Sequence, residues 1–168
     1  MDTVDIGAPA PDFELHDQDG TARTLHGMLA EGGPVVLFFY PAAMTRGCTA
    51  ESCHFRDLAA EFAELGAQRV GISADDVGTQ RAFADEHGFG YPLLSDPDGA
   101  VARAYGVRRG GPLAALSPIR RSTFVIDTDG RILHVVRSEL RMQAHADGAL
   151  RALRELRRHG EAPRERED

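Results

Sequence analysis

Apolar residues follow two patterns along this 168-residue chain, one typical of buried strands and the other typical of helices. Residues 35–40 are apolar at every position, as in a central strand that is covered on both faces. Residues 69–73 and 122–126 predict two more strands. Residues 132–136 predict the partner of the last strand, because the Asp-Thr-Asp-Gly sequence at 127–130 is a hairpin signal.

Between these strands, apolar residues recur at helical spacing. A helix is expected to start near Cys48 and to continue through the apolar spacing at 55–65, and Gly66 is expected to end it. A second helix is expected from a cap at Asp75 or Asp76 to His87, followed by Gly88. The remaining apolar stretches predict an extended piece at 91–95, a short helix at 100–105 and a closing helix marked by Leu150, Leu153 and Leu156.

The chain predicts one α/β domain over residues 1–159. Residues 12–17 and 21–25 flank an Asp-Gly turn and predict an N-terminal β-hairpin. Strands and helices then interleave, which favours a central mixed β-sheet flanked by helices on both faces. Residues 106–120 are rich in glycine and proline and predict a loop. The charged segment 160–168 has little to bury and is expected to be a disordered tail.

Composition narrows the function classes. The chain is 42% hydrophobic and 27% charged, which suits one ordinary folded domain. The formal net charge of −7 argues against binding to nucleic acid or to an anionic membrane. No early segment resembles a signal peptide and no stretch reaches membrane-spanning length, so a cytoplasmic location is expected. In a reducing cytosol, two cysteines are not expected to form a permanent disulfide.

The two cysteines, Cys48 and Cys53, lie where the strand at 35–40 gives way to the following helix. Only the thiolate attacks, and at a reference pKa of about 8.5 roughly 3% of a thiol is ionised at pH 7. The amides and dipole of a helix start favour the Cys48 anion, as would a nearby arginine. Glu51 opposes it unless an arginine pairs with Glu51, and we expect such a pairing.

The spacing of the cysteines restricts how they can react with each other. Residues five apart on a straight helix are roughly 140° off a common face, with Cα atoms about 8–9 Å apart. A disulfide needs Cα atoms within roughly 7 Å. Cys48 and Cys53 therefore cannot bond in an intact helix, and any pairing during turnover requires its first turns to unwind.

The pattern Pro-x-x-x-Thr-x-x-Cys, formed by Pro41, Thr45 and Cys48, resembles the active-site signature of the peroxiredoxins. Thr49, Glu51 and Cys53 narrow the resemblance to the bacterioferritin comigratory protein or peroxiredoxin Q subfamily. The similarity covers about residues 5 to 155 and includes the segments 7–13, 71–75, 91–99, 104–107 and 121–127.

The resemblance implies a thioredoxin-like fold and a role for each site residue. Cys48 is the expected peroxidatic cysteine, which forms a sulfenic acid, and Cys53 the resolving cysteine, which forms an intramolecular disulfide. Thr45 is expected to hydrogen-bond the thiolate or the peroxide, and Arg121 to stabilise the charge. The supporting residues are Pro41, which shields the site from water, Gly47 and Glu51, with backbone amides near Cys48 completing the cradle.

The resemblance also implies the reactants. The expected substrates are hydrogen peroxide and organic hydroperoxides, and the expected reductant is thioredoxin or a similar dithiol. No metal or organic cofactor is expected, and the protein is expected to be a monomer or a weak dimer.

Two features depart from the family pattern. Arg46 stands where the family usually has proline, and we hypothesise that its charge assists formation of the Cys48 thiolate. The loop at 106–120 is unusually apolar, with Pro112, Leu113, Leu116 and Pro118, which favours organic hydroperoxides.

Other functions remain open on sequence grounds. A disulfide oxidoreductase of the same fold would usually carry Cys-x-x-Cys at this junction, which this chain lacks. A non-enzymatic redox sensor or holdase, whose helix unwinds on oxidation, is a further alternative. A zinc site at the cysteines and His54 lacks a fourth ligand and the usual spacing, and the turn at 127–130 lacks the later glutamate of a calcium-binding EF-hand.

Several residues also have plain structural interpretations. Thr45 can act as a helix cap, and Glu51 can be a solvated acid of the first helical turn. Arg120 competes with its neighbour Arg121 for the role beside the thiolate. His54 is expected to be an exposed bystander, because adjacent helical residues point about 100° apart.

Overall fold

The computed structural model describes residues 4–109 and 119–161 of the chain. Within these residues, seven strands form one mixed sheet with the order β2-β1-β5-β4-β3-β6-β7. The strands are β1 Glu14–His16, β2 Ala22–Thr24, β3 Val35–Phe39, β4 Gln68–Ser73, β5 Leu93–Ser95, β6 Ser122–Ile126 and β7 Ile132–Arg137. The helices are α1 Leu25–Ala30, α2 Arg46–Asp57, α3 Ala59–Glu64, α4 Val77–His87, α5 Ala100–Ala104 and α6 Met142–Glu161.

Strand β3 is central, and its uninterrupted apolar run is buried at every position. It pairs in parallel with β4 and antiparallel with β6, and β6 continues into the hairpin with β7. The N-terminal hairpin of β1 and β2 forms the opposite edge and joins β5 through His16 and Ser95. The mixed sheet and both hairpins expected from the sequence are therefore confirmed.

Alternate residues of β3 face different halves of the core. Val35, Leu37 and Phe39 pack with the side chains of α1 and α5 on one face. Val36 and Phe38 point to the other face, where α2, α3, α4 and α6 pack. Helices on both faces explain why this strand has no polar position.

Two helical predictions need correction. The single helix expected over 55–65 is divided at Leu58, whose φ of −95° and ψ of 20° interrupt the α-helix between α2 and α3. The apolar spacing continues across this one-residue break, so it gives no signal in the pattern. Helix α1 was not predicted, and its first residue, Leu25, was assigned to the hairpin strand at 21–25. Thr24 ends the strand and caps the helix by accepting the amide hydrogen of Gly27.

The closing helix extends further than expected. Helix α6 runs to Glu161, so the predicted tail begins two residues too early, and residues 162–168 lie outside the described residues. Most of the predicted loop at 106–120 also lies outside them, including the apolar residues at 112–118. Among the described helices, none is long and apolar enough to cross a membrane.

Candidate active site

The thiol of Cys48 lies at the carboxyl end of the central strand. Strand β3 ends at Phe39, a short segment follows, and α2 begins at Arg46 with Thr45 as its extended N-cap residue. Cys48 is the third helical residue and is fully buried. The first amides of a helix have no partner within it, so α2 directs unpaired N–H groups and the positive end of its dipole toward this region.

Arg121 reaches Cys48 from the neighbouring strand. Because β6 is antiparallel to β3 and Ser122 is opposite Phe39, the residue before β6 lies at the edge of the sheet where β3 ends. Arg121 is buried, and its Nη2 donates to Cys48 Sγ at 3.4 Å. Its neighbour Arg120 is exposed.

Glu51 is the second partner of Arg121. One helical turn after Cys48, its side chain is fully buried and Oε2 accepts a hydrogen bond from Arg121 Nη1. The structure therefore contains the arginine pairing expected for Glu51, which is not a solvated acid. Burial raises the pKa of Glu51 to about 7, although the charge and hydrogen bond of Arg121 act in the opposite direction.

These two partners stabilise the positive charge of Arg121. Burial lowers its pKa, but the nearby Glu51 and Cys48 outweigh that effect and raise it overall. A buried cation thus lies between a thiol and a carboxyl group, which is the arrangement that the anion of the thiol needs.

Gly47 permits this approach. A Cβ atom on Gly47 would lie 3.2 Å from Arg121 Nη2 and 3.0 Å from Met142 Cε. A larger residue would displace the guanidinium or Met142, so the absence of a side chain at this position brings Arg121 close to the start of α2. The contact with Met142, at the start of α6, had no signal in the sequence.

Thr45 and Pro41 lie in the short segment that connects β3 to α2. Thr45 is exposed and its hydroxyl donates to the carbonyl of Ala42 at 2.7 Å. Its side chain makes no capping hydrogen bond, and within the described residues no hydrogen bond joins it to Cys48. Pro41 is half-buried, and Met44 adopts a left-handed φ of 67°, which is uncommon for a residue with a side chain.

A partly buried polar network beside the segment that connects β3 to α2 was missed by sequence reasoning. The amide of Ala43 donates to Asp75 Oδ2 at 2.7 Å, and Ser73 Oγ donates to the same oxygen at 2.6 Å. Gln80 connects Ser73 to the hydroxyl of Tyr40 at the end of β3. These contacts fix the segment that leads into α2. Asp75 was considered only as a helix cap, a position that Asp76 occupies.

Cys53 lies in the second half of α2 and is less buried than Cys48. It is half-buried, and burial raises its thiol pKa. The hydroxyl of Tyr91 donates to the carbonyl of Ser52 at 2.6 Å, and Arg69 Nη1 donates to the carbonyl of Phe55 at 2.9 Å. Both thiols are free and lie in one helix, which agrees with the expected geometry.

His54 is not the exposed bystander that was expected. Its side chain is 22% exposed, and Nε2 lies 2.8 Å from Asp147 Oδ1 of α6. It therefore connects α2 to α6. Among the described residues, no group of three or more histidine, cysteine, aspartate or glutamate side chains is placed to hold a metal ion.

Comparison with known proteins assigns the family. A model described as the AhpC/TSA family matches residues 6–135, which is more than half of the chain. The chain belongs to this family, the peroxiredoxins. The crystal structure of peroxidoxin BcpB from Mycobacterium tuberculosis is 58% identical with a TM-score of 0.84, and the match covers 90% of this chain and 97% of that one.

Two further similarities identify the subfamily. A chloroplastic peroxiredoxin Q of Oryza sativa subsp. japonica is 36% identical over 91% of this chain and 68% of its own. The structure of peroxiredoxin Q from Xanthomonas campestris is 34% identical with a TM-score of 0.78, covering 85% of this chain and 90% of that one. This peroxiredoxin therefore belongs to the bacterioferritin comigratory protein or peroxiredoxin Q subfamily, and it has the thioredoxin-like fold and peroxidase chemistry of its family.

Proposed function

We propose that this peroxiredoxin reduces hydroperoxides through Cys48 and uses Cys53 to complete the reaction. The observation that carries the proposal is the contact of Arg121 with both the Cys48 thiol and the Glu51 carboxyl group. A buried cation at a helix start stabilises a thiolate, which is the reactive form of cysteine.

In the first step, the Cys48 thiolate attacks the outer oxygen of the peroxide. The sulfur–oxygen bond forms while the O–O bond breaks, so Cys48 is oxidised to a sulfenic acid and the peroxide is reduced. The departing alkoxide or hydroxide takes up a proton from solvent and leaves as an alcohol or water. Arg121 stabilises the negative charge that develops on the oxygens.

In the second step, the Cys53 thiol attacks the sulfur of the sulfenic acid. A disulfide forms and water leaves, carrying the hydroxyl oxygen and the thiol proton. The two cysteines are separated by five positions in α2, so this step requires the helix to open first. A thioredoxin-type dithiol then supplies two electrons and two protons, which restore both thiols.

Organic hydroperoxides are the substrates we favour alongside hydrogen peroxide. For the bacterioferritin comigratory protein of Xanthomonas campestris, 34% identical to this chain, an alkyl peroxide reduction activity is described. Met44, which directly precedes the N-cap of α2, is 45% exposed and offers apolar surface to an alkyl group. Equal catalytic efficiency with hydrogen peroxide and a bulky alkyl hydroperoxide would argue against this preference.

A coupled assay with peroxide, thioredoxin, thioredoxin reductase and NADPH tests the function. We expect many equivalents of peroxide to be consumed per protein and Cys48→Ser to abolish turnover. A redox sensor would stop at one equivalent, and a disulfide oxidoreductase would act on protein disulfides without peroxide.

The Cys53→Ser variant separates the two cysteine roles. It should form a sulfenic acid at Cys48 on addition of one equivalent of peroxide, and a sulfenic-acid-specific probe followed by mass spectrometry would locate it. Full thioredoxin-dependent turnover by Cys53→Ser would remove Cys53 from the mechanism, whereas activity that survives Cys48→Ser would reject the central assignment.

A further inference from the structure

A buried histidine lies on the far side of Glu51 from Arg121. His145, the fourth residue of α6, is fully buried, and its Nδ1 is 3.9 Å from Glu51 Oε1. That oxygen has no hydrogen-bond partner among the described residues. A charged carboxylate oxygen that is buried without a hydrogen-bond partner costs free energy. The group that covers this oxygen therefore affects whether the Glu51 side chain carries a charge.

The hydrogen bonds of His145 determine its tautomer. Nε2 lies 2.8 Å from the carbonyl oxygen of Ser138, which can only accept, so Nε2 carries the proton. Nδ1 lies 2.8 Å from the hydroxyl of Thr123 on β6 and accepts its hydrogen. Both ring nitrogens are thus occupied, and the neutral ring has no hydrogen to donate to Glu51.

The surroundings keep the ring neutral. Burial lowers the pKa of His145, and the positive charge of Arg121 lowers it further, against the hydrogen bond to Ser138 and the charge of Glu139. The start of α6 also disfavours a cation at this position. The charged or ionisable groups that face the ring are Glu51 from α2, Arg121 before β6 and Glu139 between β7 and α6.

We propose that His145 is a positioning residue for the Cys48 reaction, in which its neutral ring excludes water from Glu51 and keeps that carboxyl group against Arg121. Arg121 in turn holds its guanidinium group at the Cys48 sulfur. Without the ring, water would hydrate Glu51 and stabilise its negative charge, which opposes the Cys48 thiolate. This inference rests on the proposed role of Cys48.

The test uses the Cys53→Ser background, so that Cys48 is the single thiol of the protein. The rate of Cys48 alkylation by iodoacetamide is followed against pH, and single-turnover peroxide consumption is measured separately. For His145→Ala, we expect the alkylation midpoint to rise by about half a pH unit or more. We expect the rate with peroxide at neutral pH to fall roughly tenfold, because the guanidinium group loses its fixed position.

His54→Ala is the matched control. His54 also connects α2 to α6, through Asp147, but within the described residues no hydrogen bond or ion pair joins it to Glu51 or Arg121. We expect it to change thermal stability without moving the alkylation midpoint. An equal shift in both variants would show that the effect is only loss of packing between the helices, and would overturn the proposal.

Thr123→Val provides a second variant if His145→Ala does not fold. It keeps the ring and removes the hydroxyl group that orients it, so a smaller upward shift of the midpoint is expected. An unchanged midpoint in Thr123→Val and in any folded His145→Ala protein would overturn the proposal. A lack of peroxide consumption by the unaltered chain would instead reject the proposed function, while the alkylation profile would still report on His145.

Discussion

The first half of α2, residues 46–51, and its second half, residues 52–57, are stabilised by different kinds of contact; we call them the front and the rear of the helix. At the front, Cys48 and Glu51 are buried and contact Arg121 through their side chains. At the rear, two contacts hold the helix backbone itself, because Tyr91 and Arg69 donate to the carbonyls of Ser52 and Phe55. The side chain of His54 adds a contact with Asp147 of α6.

This difference suggests a division of work within one helix. Side-chain contacts at the front set the charge around the sulfur, and they need the helix to be formed. Contacts with backbone carbonyls at the rear stabilise the helical position of Cys53. On the proposed mechanism, that position has to change relative to Cys48 when the first turns of α2 unwind and the two sulfurs meet. On the proposed mechanism, we therefore expect the front to govern reaction with peroxide and the rear to contribute to the free-energy cost of bringing Cys53 to Cys48.

The largest expected effect is at the front. In Arg121→Lys, a single ammonium group replaces a planar guanidinium that contacts two partners, and this exchange is not conservative at such a site. We expect the rate of reaction with peroxide to fall roughly 100-fold, as for the loss of a donor to a developing oxyanion. Stopped-flow measurement of peroxide consumption would check it. The exposed neighbour in Arg120→Lys is the control, and an equal loss there would contradict the role of Arg121.

The pH dependence of stability also tests the front. Burial raises the pKa of Glu51 from 4.5 to about 7 on folding, so the folded protein binds this proton more tightly than the unfolded chain. The resulting stabilisation is complete below pH 4.5 and is lost as the pH rises through about 7. As the pH rises across this window, the free energy of unfolding of the unaltered protein should fall by on the order of 1–3 kcal/mol relative to that of Glu51→Gln.

Urea unfolding at a series of pH values would measure that fall. Glu64→Gln is the control, because Glu64 is exposed at the end of α3. A fall of the same size for Glu64→Gln would show that the effect is not specific to the buried carboxyl group. A flat difference for Glu51→Gln would show that Glu51 keeps its charge throughout the range.

At the rear, Tyr91→Phe removes the hydrogen bond to the Ser52 carbonyl. A buried hydrogen bond of this kind contributes about 1 kcal/mol, which corresponds to roughly a fivefold increase in local opening. We expect Cys53 to be alkylated faster, and the disulfide to form faster after peroxide is added. Mass spectrometry of quenched samples would follow both reactions.

The control for Tyr91 is on the opposite face of the sheet. The buried Tyr105 donates a similar hydrogen bond to the carbonyl of Pro11 at 2.7 Å. Tyr105 belongs to the half of the core on the face of the sheet that α2 does not cover. Tyr105→Phe should lower the melting temperature without exposing Cys53. If both variants accelerate Cys53 alkylation equally, the Tyr91 bond has no specific effect on α2.

Much of the fold could be predicted because the central strands β3 and β6 are buried on both faces, which favours apolar residues along their whole length. The hairpin at 127–130 and helix α4 have strong local signals, namely an Asp-Gly turn and a cap followed by glycine. The break at Leu58 could not be predicted, since one non-helical residue leaves the apolar period intact. Helix α1 follows β2 without a break, so its first residue, Leu25, continued the apolar pattern of the hairpin strand.

The candidate site divides in the same way. Cys48 and Glu51 belong to a local motif, and Arg121 was reached through a resemblance that includes its strand. His145 and Met142 lie in a helix with an ordinary amphipathic pattern, and only the packing of α6 against α2 and β6 brings them to the site. Residue contacts that depend on helix packing have no counterpart in a linear motif.

The smallest expected effect concerns Arg46, the first residue of α2. Its side chain is exposed, so its charge acts on Cys48 through solvent and is screened by salt. Proline is well tolerated at the first helical position, so Arg46→Pro removes the charge without breaking α2. We expect the Cys48 alkylation midpoint to rise by about 0.2–0.4 pH unit at low salt, and by less at high salt. Arg46→Met separates the loss of charge from the added rigidity, and an unchanged midpoint in both variants would contradict the hypothesis that Arg46 assists the thiolate.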